Sequence, residues 1–423
     1  MTQEKSASPP PAAEAGIESP RGFGRLLKRS GPAFLAGGLN IGSATVTNSV
    51  LLASATGFVF GWVFIPAVLA TYAATLVCVR ITAVAQRDPI DAIRTFVNPA
   101  VGVINGVAII LVNLVFFAVN AVLAGAALNA LIPAVPTRLW AGIAIVITAV
   151  LALLPGRIGV VSSMLKWLII GLALAYLASL FVVPVDWLGF LQHTFTPTLP
   201  TSQAEVLLFT AVLGSALAIN VPVAQAYASR ASGYGPATLR LARFETGAAN
   251  LILFFVQIAV LAVVASTLFP QGLEVTSALA AASALEPIAG PFATALFALG
   301  LLGACISTLI VQTQVTGYVT ADLLGWDRDL GSRRFKIVQV VMLGAGLLIP
   351  LLNLDPFSWT PWGAAFNSTF MPIGIATWWY LANKTSIMGR YRAGVGLNIL
   401  IGVAMLIATT AALRFWYVTL FGG

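Results

Sequence analysis

Between Phe34 and Leu51 an apolar run is interrupted by Gly37, Gly38 and Gly42 and by Asn40, Ser43, Thr45, Thr47, Asn48 and Ser49. A helix in lipid fills such positions with Leu, Ile and Val, because a buried amide or hydroxyl is costly until something hydrogen-bonds it. A second interruption, Gly214-Ser215-Ala216-Leu217-Ala218-Ile219-Asn220-Val221-Pro222-Val223-Ala224-Gln225, sets the amides of Asn220 and Gln225 at membrane depth. It also contains Pro222, which is expected to remove a helical hydrogen bond. Both stretches read as broken helices, whose freed backbone groups and nearby amides can replace the hydration shell of a small solute or ion. Asn40, Thr45 and Asn220 lead the residues that could bind it, with Ser43, Gln312, Gln314 and Asn367 behind them. Gln312, Gln314, Asn113 and Asn120 equally suit hydrogen bonds that join helices to one another, worth about 1 kcal/mol each.

The rest of the chain must place these residues inside a bilayer. Its 423 residues are 59% hydrophobic and 9% charged, with a mean hydropathy of +0.95, which no water-soluble domain can cover. Unbroken apolar runs require helices, since the strands of a membrane barrel would alternate. Cys78 and Cys305 lie in such runs and suit small core residues better than a redox pair. The net charge of +8 does not imply nucleic acid, because no basic patch is interleaved with aromatics. Neither an enzyme nor a cofactor is expected; Lys384-Thr385 lacks the glycines of a phosphate-binding loop.

An all-α integral membrane protein of eleven transmembrane helices is expected, at about 31–56, 58–84, 101–131, 139–155, 160–184, 204–230, 244–269, 291–321, 335–353, 358–382 and 393–420. With a cytoplasmic N-terminus, only Arg138 and Arg414 of the 22 Lys and Arg fall outside. This orientation implies a multi-pass protein of the inner (plasma) membrane with the lipid bilayer as its surroundings. Residues 1–20 read as a disordered cytoplasmic tail without the apolar centre of a signal peptide, and 21–423 as one membrane domain. Spans one and six each begin a five-span half. Paired interruptions at those positions point to an inverted five-plus-five repeat, about 31–184 and 204–382, followed by an extra helix at about 393–420. Asp88 is expected to cap a short helix that Pro89 opens, and 273–285 to form a surface helix.

Several stretches resemble the Nramp family of proton-coupled divalent-metal transporters. Gly31-Pro32-Ala33-Phe34-Leu35 is similar to the family's entry to span one, and an ungapped run continues to Thr56-Gly57-Phe58. Pro291-Phe292-Ala293-Thr294-Ala295-Leu296-Phe297-Ala298-Leu299 resembles its entry to span eight. Asn383-Lys384-Thr385-Ser386-Ile387-Met388-Gly389, followed by Leu397-Asn398-Ile399, resembles its junction of spans ten and eleven. The resemblance implies a LeuT-like eleven-span fold with helices 1 and 6 broken, a cytoplasmic N-terminus, alternating access and metal-ion symport. It also adds positions to the candidate site. The family's Asp-Pro-Gly-Asn motif aligns with Gly42, Ser43, Ala44 and Thr45, and its Met-Pro-His motif with Ala218, Ile219 and Asn220. The carboxylate and thioether ligands are therefore replaced, and span three offers Asn105, Asn113, Asn120 and Asn129 where acidic groups are expected.

Two cargoes remain open at this stage. Descent favours a divalent metal ion, whereas a divalent cation stripped of water needs charge or several hard oxygens, and no Asp, Glu or His occupies the central third of any expected span. The alternative is a small organic solute, a carboxylate or amino-acid-like compound, held at a neutral site by half-helix dipoles. Coupling is equally open between a proton, a sodium ion held with the help of Ser307 or Thr308, and facilitated diffusion. Glu245 could contribute to gating, or pair with Arg240 or Arg243. His193, the only histidine, is read as a solvated loop residue.

Overall fold

The computed structural model describes Leu26 and residues 42–153, 158–273, 275–352 and 354–421. Asn40 and the first half of the expected span one lie outside the described residues. Among those described, every regular element is helical. In chain order they are α1 (Ser43–Thr56), α2 (Phe64–Ala85), α3 (Pro89–Phe96), α4 (Pro99–Leu131), α5 (Thr137–Leu153), α6 (Ile158–Ser179), α7 (Trp187–Phe195), α8 (Gln203–Ala216) and α9 (Asn220–Ala231). They continue as α10 (Leu239–Thr267), α11 (Ala278–Ala282), α12 (Glu286–Ala289), α13 (Ala293–Leu324), α14 (Arg333–Leu347), α15 (Pro356–Ser368), α16 (Met371–Asn383), α17 (Thr385–Met388) and α18 (Val395–Phe421).

Polar and apolar residues are distributed as lipid requires. On α5, Leu139, Ile143, Val146, Ile147 and Val150 form an exposed stripe at helical spacing, while Ala141, Ala144 and Thr148 are buried. A water-soluble amphipathic helix would turn the opposite way. The same holds on α4, where Val103, Ile104, Val107, Leu111 and Leu114 face outward and Asn105, Asn113 and Asn120 are buried. Among the described residues seven helical stretches, one of them α8 and α9 together, are long and apolar enough to cross a membrane. The other expected spans fall on shorter or interrupted helices.

Span six is interrupted as expected, with α8 ending at Ala216 and α9 beginning at Asn220. Pro222 acts differently from the expectation. It is the third residue of α9, where a backbone N–H has no partner within the helix, so it terminates no bond and helps to start the second half. An unexpected interruption separates α15 from α16 at Thr369 and Phe370, with Pro372 in the first turn after it. The expected surface helix is also shorter, because Ser277 caps it at Ala278. The loop holding His193 contains α7, capped by the Asp186 carboxylate at Gly189 N–H, 2.9 Å.

The basic residues gather at one end of the bundle. There Arg80 donates to Tyr391 and Arg392 carbonyls, Lys384 to Phe96 O, and Arg230 to Gln86. Arg138 and Arg414 lie at the other end, where Trp62 reaches Thr198 O at 3.0 Å and Arg414 reaches Pro200 O.

Candidate functional site

The start of α1 and the span-six interruption meet along α4 and α13. Helix α1 begins at Ser43 after an extended Gly42 (φ −74, ψ 155), with no side chain capping its first turn. Helix α9 likewise begins without a side-chain cap. Each therefore presents the positive end of its dipole to the interior.

Ser43 donates to Asn120 of α4, whose own amide donates to Phe116 O at 2.7 Å. Asn220, the first residue of α9, donates to Asn113 of the same helix at 2.7 Å, and Asn113 donates to Thr316 of α13 at 3.1 Å. Asn105 accepts from Thr377 of α16 at 3.3 Å. The spacing 105, 113, 120 keeps these asparagines on one face of α4. Seven residues separate Asn113 from Asn120, about 10 Å of helical rise, so the starts of α1 and α9 are anchored two turns apart on one rail.

Helix α13 provides a second rail. Thr308, Gln312 and Thr316 follow at i, i+4, i+8 and share a face. A Cβ at Gly42 would lie 4.0 Å from Thr308 Oγ1, while Thr316 joins the Asn113–Asn220 pair. Gln312 stands between them, buried, with neither amide atom hydrogen-bonded.

The end of α8 has its carbonyls occupied. Gly214 O accepts from Asn367 Nδ2 of α15 at 2.5 Å, and Ala216 O from Thr71 of α2 at 2.9 Å. This close approach requires glycine, since a Cβ at Gly214 would collide with the Ala364 carbonyl. Asn220 Oδ1 and Asn367 Oδ1 are buried without a protein partner, which is uncommon for polar atoms and costs roughly 1–3 kcal/mol each unless something else pairs them.

All the sequence candidates but Asn40 fall among the described residues. Thr308 and Gln312 lie on the α13 rail, Gly42, Ser43 and Asn220 at the starts of α1 and α9, Ala218 lies in the gap and accepts from Val221 N at 3.0 Å, and Thr45 is buried in the first turn of α1. Asn367 closes the α8 side. Ser307 only turns back to Ala304 O at 3.0 Å. Glu245 lies away from the interruptions, fully buried near the start of α10, and accepts from the Tyr234 hydroxyl at 2.5 Å. Burial first, and then this bond, raise the Tyr234 phenol well above its ordinary range. Asn113 and Asn120 touch the site's own residues, a role their sequence positions left open between binding and helix joining.

A second polar cluster closes the basic end. Asp88 begins α3 but makes no capping bond, contrary to expectation; its buried carboxylate pairs with Arg328. Arg328 also reaches Asp322 at 3.3 Å, and Asp322 accepts from Tyr227 of α9 at 2.7 Å and from Asp91 N at 3.3 Å. Burial lowers the Arg328 guanidinium from its ordinary range. Tyr227 stacks on Tyr318 with ring centroids 5.1 Å apart. The C-terminal half of α9 is thus fastened to α3 and α13.

Among the described residues no group of three or more His, Cys, Asp or Glu comes together as a metal-ligand set. Both cysteines are free and buried.

Residues 33–418 match the family model described as natural resistance-associated macrophage protein-like. The chain is similar to curated proteins named divalent metal cation transporter MntH. The one from Caldanaerobacter subterraneus subsp. tengcongensis is 26% identical over 203 residues, 47% of each chain. That from Acidiphilium cryptum is 25% identical over 246 residues, 56% of this chain and 55% of the relative. These alignments span about half the length of the curated relatives. A crystal structure of the Eremococcus coleocola manganese transporter superimposes with a TM-score of 0.73 at 15% identity, covering 96% of this chain and 90% of that one. A second structure of that transporter, with an aromatic bis-isothiourea substituted compound, gives 0.73 at 14% identity.

Proposed function

Because the chain belongs to the Nramp family, we propose that it is a secondary transporter that carries a divalent metal cation across the membrane by alternating access. The relatives named divalent metal cation transporters support this cargo. The observation that carries the reading is the set of buried amide oxygens without partners, Asn220 Oδ1, Gln312 Oε1 and Asn367 Oδ1, at and around the start of α9. An amide oxygen is a hard, neutral ligand, and an unpaired one is ready for a cation without first breaking a bond.

Such a site selects differently from one with a thiolate or thioether. Oxygen donors suit magnesium and manganese better than soft ions, and with no carboxylate among them the ion keeps part of its hydration. The uncapped starts of α1 and α9 oppose the positive charge, so binding is weak and exchange fast. The unpaired amides and the hydroxyl of Thr308 replace the lost waters, and the excess of basic residues at one end supports a cytoplasmic N-terminus in the plasma membrane. Alternation would release the inner end of α9 from Asp322 while its outer start stays on Asn113.

The test is uptake into proteoliposomes. Saturable manganese or magnesium uptake is expected, with its half-saturation raised roughly ten-fold by Asn220→Ala. Silence toward manganese, iron and magnesium together, with saturable uptake of a carboxylate or amino acid, would overturn the cation reading.

A further inference from the structure

At the basic end, α16 and α18 enclose a lipid-facing groove of about 460 Å³ lined by Ala376, Trp379, Tyr380, Asn383, Lys384 and Met405. Its floor is rigid. Trp379 Nε1 and Asn383 Nδ2 both donate to Asn398 Oδ1 at 2.8 Å, and Asn398 Nδ2 returns to Asn383 Oδ1 at 3.1 Å. The Trp379 ring lies over Gly402, where a Cβ would meet it at 3.3 Å. The groove therefore exists before any ligand arrives.

Its charge is unbalanced. Lys384 Nζ sits 5.5 Å from the centre of the Tyr380 ring and donates once, to Phe96 O at 2.5 Å. An ammonium has three donors, so two remain. The next residue, Thr385, accepts from the exposed Arg392 guanidinium at 3.2 Å, which brings a second cation to the same mouth. No Asp or Glu follows Asp355 in the chain. The acidic residues of neighbouring α3 are taken, Asp91 by Arg87 and Asp88 by Arg328. Among the described residues Lys384, Arg390 and Arg392 pair with no carboxylate. Apolar lining below and two uncompensated cations at the mouth complement an acyl chain with a phosphate above it.

We propose that this groove binds an anionic phospholipid, with its acyl chain along Ala376 and Met405 and its phosphate on Lys384 and Arg392. Basic pockets between membrane helices hold anionic headgroups in this way. The site is separate from the interruptions and does not depend on which solute is carried. Its place on α18 lets lipid composition set how firmly the last helix is held to α16.

The experiment uses the purified full chain in detergent, with binding read by native mass spectrometry and by the thermal midpoint. Phosphatidylglycerol is expected to stay bound and to raise the midpoint, phosphatidylcholine to do so far less. Arg392→Gln, an exposed change, should weaken phosphatidylglycerol roughly five-fold, and adding Lys384→Gln roughly twenty-fold. Arg138→Gln at the opposite end should leave it unchanged. Equal protection by phosphatidylcholine, equal protection by inorganic phosphate, or an undiminished response of Arg392→Gln would each overturn the proposal. Should the double variant not fold, the single one decides.

Discussion

Asn220 donates its side-chain amide to Asn113 at 2.7 Å, across 107 residues of chain. This bond ties the second half of interrupted span six to the asparagine-bearing face of α4, and Thr316 extends it to α13. The start of α9 is thereby held while its other end is fastened independently at Asp322. A segment fixed at two separable points is suited to a hinge, and the expected outcomes below probe both ends.

Asn113→Ala leaves the Asn220 amide buried without its acceptor. Membrane hydrogen bonds of this kind are worth about 0.6–1.7 kcal/mol, so the thermal midpoint should fall modestly and uptake with it. Combining it with Asn220→Ala should be non-additive by a similar amount, since the two residues share one interaction. Strict additivity would show that the bond is not made in the membrane.

Asn220→Asp tests the neutral character of the site. A carboxylate there adds the charge a divalent ion requires, and half-saturation for manganese should drop at least ten-fold. The new acid also introduces pH dependence. Burial raises a carboxyl group's pKa above its usual value of about 4, and only the deprotonated form binds metal, so the gain should be present at high pH and fade as pH falls. The unsubstituted protein should show no such fade. Uptake measured between pH 5.5 and 8 distinguishes the two.

Gly214→Val forces a side chain into the Ala364 carbonyl and parts α8 from α15, where Asn367 bonds Gly214 O. Overpacking of this kind costs typically 1–3 kcal/mol. Reduced stability together with lost uptake is expected; a silent substitution would mean that α8 and α15 are not in contact.

Asp322→Asn weakens the fastening of α9 to Arg328 and Tyr227. A fully buried pair loses roughly 3–5 kcal/mol when one partner is removed; Arg328 is 36% exposed, so about 2 kcal/mol is expected here. A cysteine introduced at Ala231, beside the cluster, should be alkylated faster in this background. Equal rates would place the opening elsewhere.

Orientation is checked with single cysteines in intact cells. One at Arg138 should be labelled by an impermeant reagent from outside, and one at Arg390 should be protected. The reverse pattern would invert the topology.

The sequence alone determined that this is a helical membrane protein and that span six is broken. These properties are local: hydropathy over twenty residues decides whether a helix enters lipid, and a run such as Gly214 to Gln225 carries its own obstruction. The sequence also placed Asn220 at the interruption. It did not reveal the partners of buried polar groups. Asn113 and Asn120 could equally have joined any helices, and only the packing of α4 against α1, α9 and α13 turned them toward Ser43 and Asn220. Asp88 stands where a capping residue belongs, yet the turn after α13 supplies Arg328 and draws the carboxylate away. The parting of α15 from α16 was not expected from the sequence; there Pro361 is accommodated inside α15, while Pro372 stands in the first turn of α16. For Asn113, Asn120 and Asp88 the deciding partner lies far away along the chain, and a hydrogen bond of about 1 kcal/mol leaves no periodicity behind.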